Sequence, residues 1–535
     1  MKQHFSISPR TLRIASIAFF ILCALICLAL LITTTGKVTD SDAAAELMLG
    51  KLLAHDGRLS PFSTDWYYST ELTVLNNHLI YSFLFHLTDS YYWVRVLGAV
   101  ILCALLVLSF YVLTWGAGLS STMFFLGAGS LLLPVSVAYG RIVLMHQYYT
   151  VHLMRAFVIS GLVLRLYREP RSRREGLIIA SLLVASFFAG ISGLRQLAVT
   201  GIPLVMASFY RFLFKEKIRK ADGWLLLSLV VMVLGYLVNS QVLSKMYQFS
   251  SFDVTILKEF HWRNLFDGFY FVIELCGYRP GLRAISLAGV VSVAGIFTAF
   301  ILLFGTYRAC CEKDLTDEPA KTILSRSFMA ALIAMQVTGH LMYGVAYSLY
   351  YIPVVIFALP SFFAFAQRQK EPVFAHKILL TFVMLSMLLN GMLTTYYLGF
   401  KRTGSLRYGG LSFQNVHLVQ DLEGATKFLD ENDVYQGYAT YWNSNVLNEM
   451  SNGKIIPLTV HINSQNRLDW YDWLTSPSYR KKQSDKAFLL LNKDEEKIMQ
   501  EKLSTLTPVA KYEDELYSVY IYPWEVLSSL LSSPQ

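Results

Sequence analysis

The chain has 535 residues, of which 54% are hydrophobic and 16% charged, with a mean hydropathy of +0.43. Soluble enzymes of this length rarely combine such values, so most of the chain is expected in lipid. The formal charge of +9 raises the question of a nucleic-acid partner, but the Lys and Arg residues cluster in short loops between apolar runs, as cytoplasmic charge does in membrane proteins; no nucleic acid is expected.

The first apolar run, Thr11 to Ile32, has basic flanks at Lys2, Arg10 and Arg13. It is too long for a signal-peptide core and has no evident small-residue cleavage site, so it reads as a retained span. Further segments long enough to cross the membrane lie near 93–114, 121–139, 148–167, 176–194, 197–214, 223–240, 285–306, 327–346, 350–366 and 378–397. With the first at 11–34, they make about eleven transmembrane helices. Basic loops recur at two-span intervals: Arg165, Arg168, Arg171, Arg173 and Arg174; then Arg211, Lys215, Lys217, Arg219 and Lys220; then Arg308, Lys313, Lys321 and Arg326; then Arg368, Lys370 and Lys377. This parity puts the N-terminus in the cytoplasm and the C-terminal part outside it.

The same parity decides the segment Leu72 to Leu87. As a lone span it would move every later basic loop outside, and it carries Asn76, Asn77, His78 and His86, which are costly in lipid. An interfacial or re-entrant helix within one long outer loop, 35–92, is expected instead. That loop opens with Thr39-Asp40-Ser41-Asp42 and then Glu46. Asp42 and Glu46, four apart, share a helical face. A carboxylate at headgroup depth can hold a raised pKa and take a proton from a hydroxyl. The competing reading is an N-cap at Asp40, Ser41 or Asp42. Trp66-Tyr67-Tyr68-Ser69-Thr70-Glu71 reads either as an aromatic belt ahead of a capped helix or as a pocket wall bearing Glu71.

Arg95, Arg141 with His146, and Arg195 with Gln196 fall at outer ends of spans, against the charge bias, and several cations converging there suit a phosphate. Singly, each also fits snorkelling to headgroups. A second outer loop, 241–284, mixes Lys245, Lys258, His261, Arg263, Glu274 and Arg279 with aromatic residues and reads as amphipathic interfacial helices that anchor or gate. With Glu46 and His78, His261 there and His340 and Tyr343 near the outer end of the ninth span are further pocket candidates. A lone His of this kind is more often a packing residue than a catalyst.

From 399 to 535 the composition turns polar. A helix near 415–431, strands at 436–441, 454–460 and 486–491, helices from Asn443 and at 493–503, and a hairpin near 508–522 are expected. Together they make a soluble extracytoplasmic α/β domain behind a transmembrane module at 1–398. No phosphate loop, nucleophile elbow or metal motif is evident in it. Trp442, Trp470, Tyr471 and Trp473 can stack on sugar rings or simply pack in a core.

In order and topology, the arrangement resembles the GT-C superfamily of membrane glycosyltransferases, such as protein O-mannosyltransferases and aminoarabinose transferases. The likeness rests on the acidic cluster after the first span, the long first loop with interfacial helices, Tyr92-Trp93-Val94-Arg95-Val96-Leu97 opening the second span, and Tyr350-Tyr351-Ile352-Pro353 before a terminal outer domain. The superfamily's aromatic and proline-rich stretch in the first loop is replaced by Tyr67-Tyr68-Ser69-Thr70-Glu71-Leu72. The resemblance implies a polytopic α-helical enzyme of the bacterial plasma membrane that moves a sugar from a polyprenyl-phosphate donor to a glycan, lipid or protein acceptor with inversion. Asp42 or Asp40 would be the base, and Arg95, Arg195 or Arg279 would bind the phosphate. Some members need a divalent metal, which Asp42, Glu46 and Glu71 can serve, and others need none. A secondary transporter and a non-catalytic ligand-binding membrane protein stay open as alternatives, although no internal repeat is seen.

Overall fold

The computed structural model describes residues 8–532 except 56–59, 70–71, 73, 170–173, 214–217, 251–261, 312–318, 344–347, 369–373, 402, 407–413 and 418–421. In chain order the first helices are α1 (Pro9–Thr34), α2 (Ser41–His55), α3 (Asn77–Phe85), α4 (Tyr91–Ala117), α5 (Ser121–Leu131), α6 (Val137–Tyr139), α7 (Thr150–Arg168), α8 (Glu175–Gly190), α9 (Ile202–Leu213) and α10 (Lys220–Gln241). They are followed by α11 (Trp262–Leu275), α12 (Leu287–Cys311), α13 (Pro319–Tyr343), α14 (Ser348–Arg368), α15 (Phe374–Tyr396), α16 (Glu423–Glu431), α17 (Tyr441–Met450), α18 (Lys493–Ser504) and α19 (Trp524–Ser528).

The chain divides into two compact units. The first comprises 1–33, 99–240 and 253–416, and the second 34–98, 241–252 and 417–535. Six helices among the described residues are long and apolar enough to cross a membrane: Pro9–Thr34, Tyr91–Ala117, Thr150–Arg168, Lys220–Lys245, Leu287–Cys311 and His376–Lys401. Shorter apolar helices accompany them, including Ser121–Leu131, Glu175–Gly190 and Leu197–Leu213. The chain is an integral membrane protein. Each of the expected spans falls on a helix, but 121–139 is broken. α5 ends at Leu131, Pro134 interrupts the backbone ladder, and Ser136 recaps α6 by accepting from the Tyr139 amide at 3.1 Å.

In the first unit α4 and α7 approach so closely that a Cβ on Gly116 would lie 1.9 Å from the Gly161 carbonyl oxygen. Small residues permit such contacts between helices that gain nothing from hydrophobic burial in lipid.

The second unit is built on a sheet of six strands among the described residues. Its order is β7 (Leu468–Trp470), β6 (Ile456–Ile462), β5 (Gln436–Thr440), β8 (Lys486–Asn492), β10 (Tyr517–Pro523), β9 (Ala510–Glu513). β5 runs parallel to β6 and β8, while β7, β9 and β10 pair antiparallel with their neighbours. The strands expected at 436–441, 454–460 and 486–491, the helix at 493–503 and the hairpin near 508–522 are all present, and β7 is additional. α18 starts where its sequence demands: Asn492 accepts from the Glu495 amide at 2.9 Å and the Glu495 carboxylate accepts from the Asn492 amide at 2.9 Å, a reciprocal capping box.

Two earlier segments form a separate two-stranded sheet bridged to the domain at Thr475. β1 (Tyr67–Tyr68) pairs parallel with β2 (Gln248–Phe249), and the Tyr67 amide donates to the Thr475 carbonyl at 2.8 Å. Within Leu72–Leu87 the helix is α3, nine residues long, far short of the ~20 needed to span. Its Tyr81 is buried with Leu47, Leu84, Phe85, Tyr91 and Val94. Trp66 and Tyr68 are buried and Tyr67 is half-buried.

Candidate functional site

The second unit brings Asp40, Asp42, Glu46, His78 and Arg95 onto neighbouring elements. Asp40 stands just before α2 and caps it, its Oδ1 accepting from the Ala43 amide at 3.1 Å. This leaves Asp42 in the first helical turn, where its Oδ1 accepts a short hydrogen bond from the Tyr441 hydroxyl. Burial, and next the neighbouring Asp40, raise the Asp42 carboxyl from its ordinary 3.8 to about 6, against the lowering effect of Tyr441. Burial and the Asp42 charge push the Tyr441 phenol well up, so it stays protonated and remains the donor.

One turn on, Glu46 turns to α3. Its Oε1 accepts from Asn76 Nδ2 at 3.2 Å and its Oε2 lies 3.3 Å from His78 Nδ1. His78 Nε2 is 3.1 Å from the Pro61 carbonyl oxygen, an acceptor only, so that nitrogen carries a proton. His78 is 1% exposed and both ring nitrogens are engaged within this network. α3 can sit this close because α2 has Gly50 there: a Cβ would lie 2.7 Å from that of Tyr81.

Arg95 is almost fully buried and ion-paired. Its Nε donates to Glu449 Oε1 at 2.6 Å, and its Nη2 to Glu449 Oε2 at 2.5 Å and to the Ala43 carbonyl at 3.0 Å. Thr39 donates to the same Glu449 carboxylate at 3.1 Å. The pair occupies most of the fork with which an arginine would grip a phosphate. Glu449 belongs to a stripe on α17. Tyr441, Asn445, Asn448 and Glu449 recur at helical spacing, and Asn452 continues the stripe just beyond. Asn445 Nδ2 donates to the Ser41 carbonyl at 3.3 Å, and Asn448 Oδ1 and Asn452 Oδ1 accept from the Tyr91 hydroxyl and amide at 3.2 and 2.8 Å. Tyr441 and Glu449 are the residues that reading the sequence missed. The available signal is the Asn-rich stripe itself, on a helix whose other face buries Val446 and Leu447.

The other candidate cations belong to the first unit. Arg141 lies in the π-helical turn Gly140–Met145, followed by buried His146. Arg195 is exposed, its guanidinium 5.2 Å from the Tyr149 ring centre. Arg279 is buried beside α15: its amide donates to Ser292 Oγ at 2.7 Å, its Nη2 donates to Thr394 Oγ1 and, at 3.4 Å, to the Asn390 carbonyl, and its Nε and Nη1 make no hydrogen bond. Burial lowers its pKa to about 10, which still leaves it charged at neutral pH. Glu71 and His261 lie outside the described residues. His340 and Tyr343 fall on α13, and their side chains lie outside the description. Among the described residues no group of three or more His, Cys, Asp or Glu side chains is placed to hold a metal.

No protein-family model matches the chain, and no curated protein matches it. Among solved structures it is similar to ArnT from Cupriavidus metallidurans, crystallised with undecaprenyl phosphate. The TM-score is 0.56 with 11% identity, over 97% of this chain and 99% of that one. At that identity the likeness establishes architecture alone: this is a GT-C-like fold, a polytopic helical membrane module with a C-terminal α/β region.

Proposed function

We propose that this protein is an inverting glycosyltransferase that moves a sugar from a polyprenyl-phosphate donor to an acceptor hydroxyl at the extracytoplasmic face, with its N-terminus cytoplasmic and residues 399–535 outside. The observation that carries the reading is Asp42: a carboxylate in the first turn of α2, desolvated, titrating near 6 and oriented by the Tyr441 hydroxyl. A base poised near the working pH is what hydroxyl deprotonation needs. The acceptor oxygen gives its proton to Asp42 and bonds to the anomeric carbon. The bond from that carbon to the phosphate oxygen breaks on the opposite face, and the electron pair leaves with polyprenyl phosphate. Arg95 is already held by Glu449, which leaves little of its fork free for that leaving charge. The fold-level likeness to ArnT, itself bound to undecaprenyl phosphate, supports a lipid-phosphate donor.

The test is transfer of labelled sugar from a polyprenyl-phosphate donor by the purified protein. Asp42→Asn should lower kcat by about 10²–10⁴, the usual worth of a general base, and Asp40→Asn much less. Full activity in Asp42→Asn overturns the assignment. Movement of a solute with no donor turnover favours a transporter instead.

A further inference from the structure

We propose that Tyr441, Trp442 and Tyr471 form an acceptor-saccharide subsite on the α/β domain, opening beside the Asp42 carboxylate. The inference rests on the glycosyltransferase reading and names the class of acceptor.

Three observations within the second unit carry it. First, the aromatic side chains there form a continuous group. The Tyr441 ring meets Trp442 at 5.2 Å and 68° and Tyr471 at 5.5 Å and 63°, and Tyr471 stacks with Trp473 at 6.4 Å and 26°. Trp442 is 60% exposed, on a domain whose other described Trp residues are half-buried or better. Second, hydrogen-bonding groups flank the rings. His461 packs edge-on to Tyr471 at 5.8 Å and faces Asp469 across the strands, its Nε2 3.6 Å from the carboxylate, and Asp42 lies on the Tyr441 side. A pyranose has the complementary surface, an apolar C–H face that stacks on aromatic rings and an edge of hydroxyls that need polar partners.

Third, the segment that presents Tyr471 and Trp473 is fastened on several sides. The Tyr471 amide donates to the Thr459 carbonyl at 3.1 Å, the Leu474 carbonyl accepts from Asn445 at 3.3 Å, and Asp472 is paired with Arg480. Leu474 is held at a φ of 49°, a conformation that a leucine adopts only when its surroundings impose it. The rings are thereby pre-ordered, which spares a ligand the entropy of ordering them. Trp470 does not belong to the group, since it packs in the domain core with Tyr438.

The test needs no donor. Full-length protein in nanodiscs is titrated with maltotriose, cellotriose and chitotriose, and binding is followed by tryptophan fluorescence and saturation-transfer NMR. At least one trisaccharide should bind with its C–H protons closest to the protein. Trp442→Ala should weaken it about fivefold or more, the worth of one lost ring contact, and Tyr471→Phe, which keeps the ring, should stay within about twofold. Binding by none of the three, or binding unchanged in Trp442→Ala, overturns the subsite. So does quenching of Trp442 by brominated lipid with no response to saccharide, which makes it a membrane anchor. Saccharide binding by protein that transfers no sugar in the assay with a polyprenyl-phosphate donor leaves the subsite standing and removes the glycosyltransferase reading.

Discussion

In the first unit, the hydroxyls of Ser130, Thr306 and Ser361 bond to carbonyls four residues earlier in their own helices, at 2.8 to 2.9 Å. In the second, the buried polar groups reach across the chain: Arg95 to Glu449, Thr39 to Glu449, Asp42 to Tyr441. A hydroxyl on a helix can close its hydrogen bond on its own backbone and then needs no partner from elsewhere in the chain. A helix such as α17, docked through an Asn- and Glu-bearing stripe, leaves those bonds to a distant segment. The consequence is a difference in fragility: replacing such locally bonded hydroxyls should be mild, and replacing the groups where the second unit's segments meet should be severe.

The largest expected effect tests that contrast. Glu449→Ala leaves the Arg95 guanidinium buried without its counter-charge, costing about 3–5 kcal/mol, so the purified protein should melt far earlier or fail to accumulate. An unchanged melting curve would break the comparison. Next comes Arg95→Gln, which takes the partner from Glu449 and should lower Tm while leaving the donor KM within about twofold. Steady-state kinetics beside calorimetry check it, and a raised KM with an unchanged Tm would return Arg95 to the phosphate.

Smaller, but sharper in sign, is the pH dependence of Asp42. Its folded pKa of about 6 exceeds the ordinary 3.8, so between those values the folded state binds more protons, and this group's contribution to stability falls as pH rises through that window. Asp42→Asn should therefore raise Tm above neutral pH even as transfer is lost. Tyr441→Phe removes the bond that lowers the Asp42 pKa. The acidic limb of the rate profile should move to higher pH by about one unit, and a limb that stays put would remove Tyr441 as the positioning residue for the base. The smallest effect is expected at a purely local device: Asn492→Ala breaks the α18 capping box and should cost about 1 kcal/mol in chemical denaturation, with no change in transfer.

The spans, the short helix within Leu72–Leu87 and most of the α/β elements were legible in the sequence because each rests on neighbours. Hydropathy over about 20 residues marks a span, Pro134 breaks one, and Asn492 with Glu495 starts a helix. Asp42 was legible as a candidate from its place after the first span. Its partner was not, because Tyr441 lies 399 residues away and a tyrosine opening a helix looks the same whether it faces solvent or a carboxylate. Arg95 read as a free cation for the same reason, since Glu449 is 354 residues distant and no local pattern ties them. The sequence by itself therefore determined a membrane bundle with a C-terminal α/β region and the chemistry of its candidate groups. Only the tertiary structure decided which charges are neutralised and which are kept, because in a desolvated site the nearest partner in space sets pKa and pairing, and spacing along the chain does not.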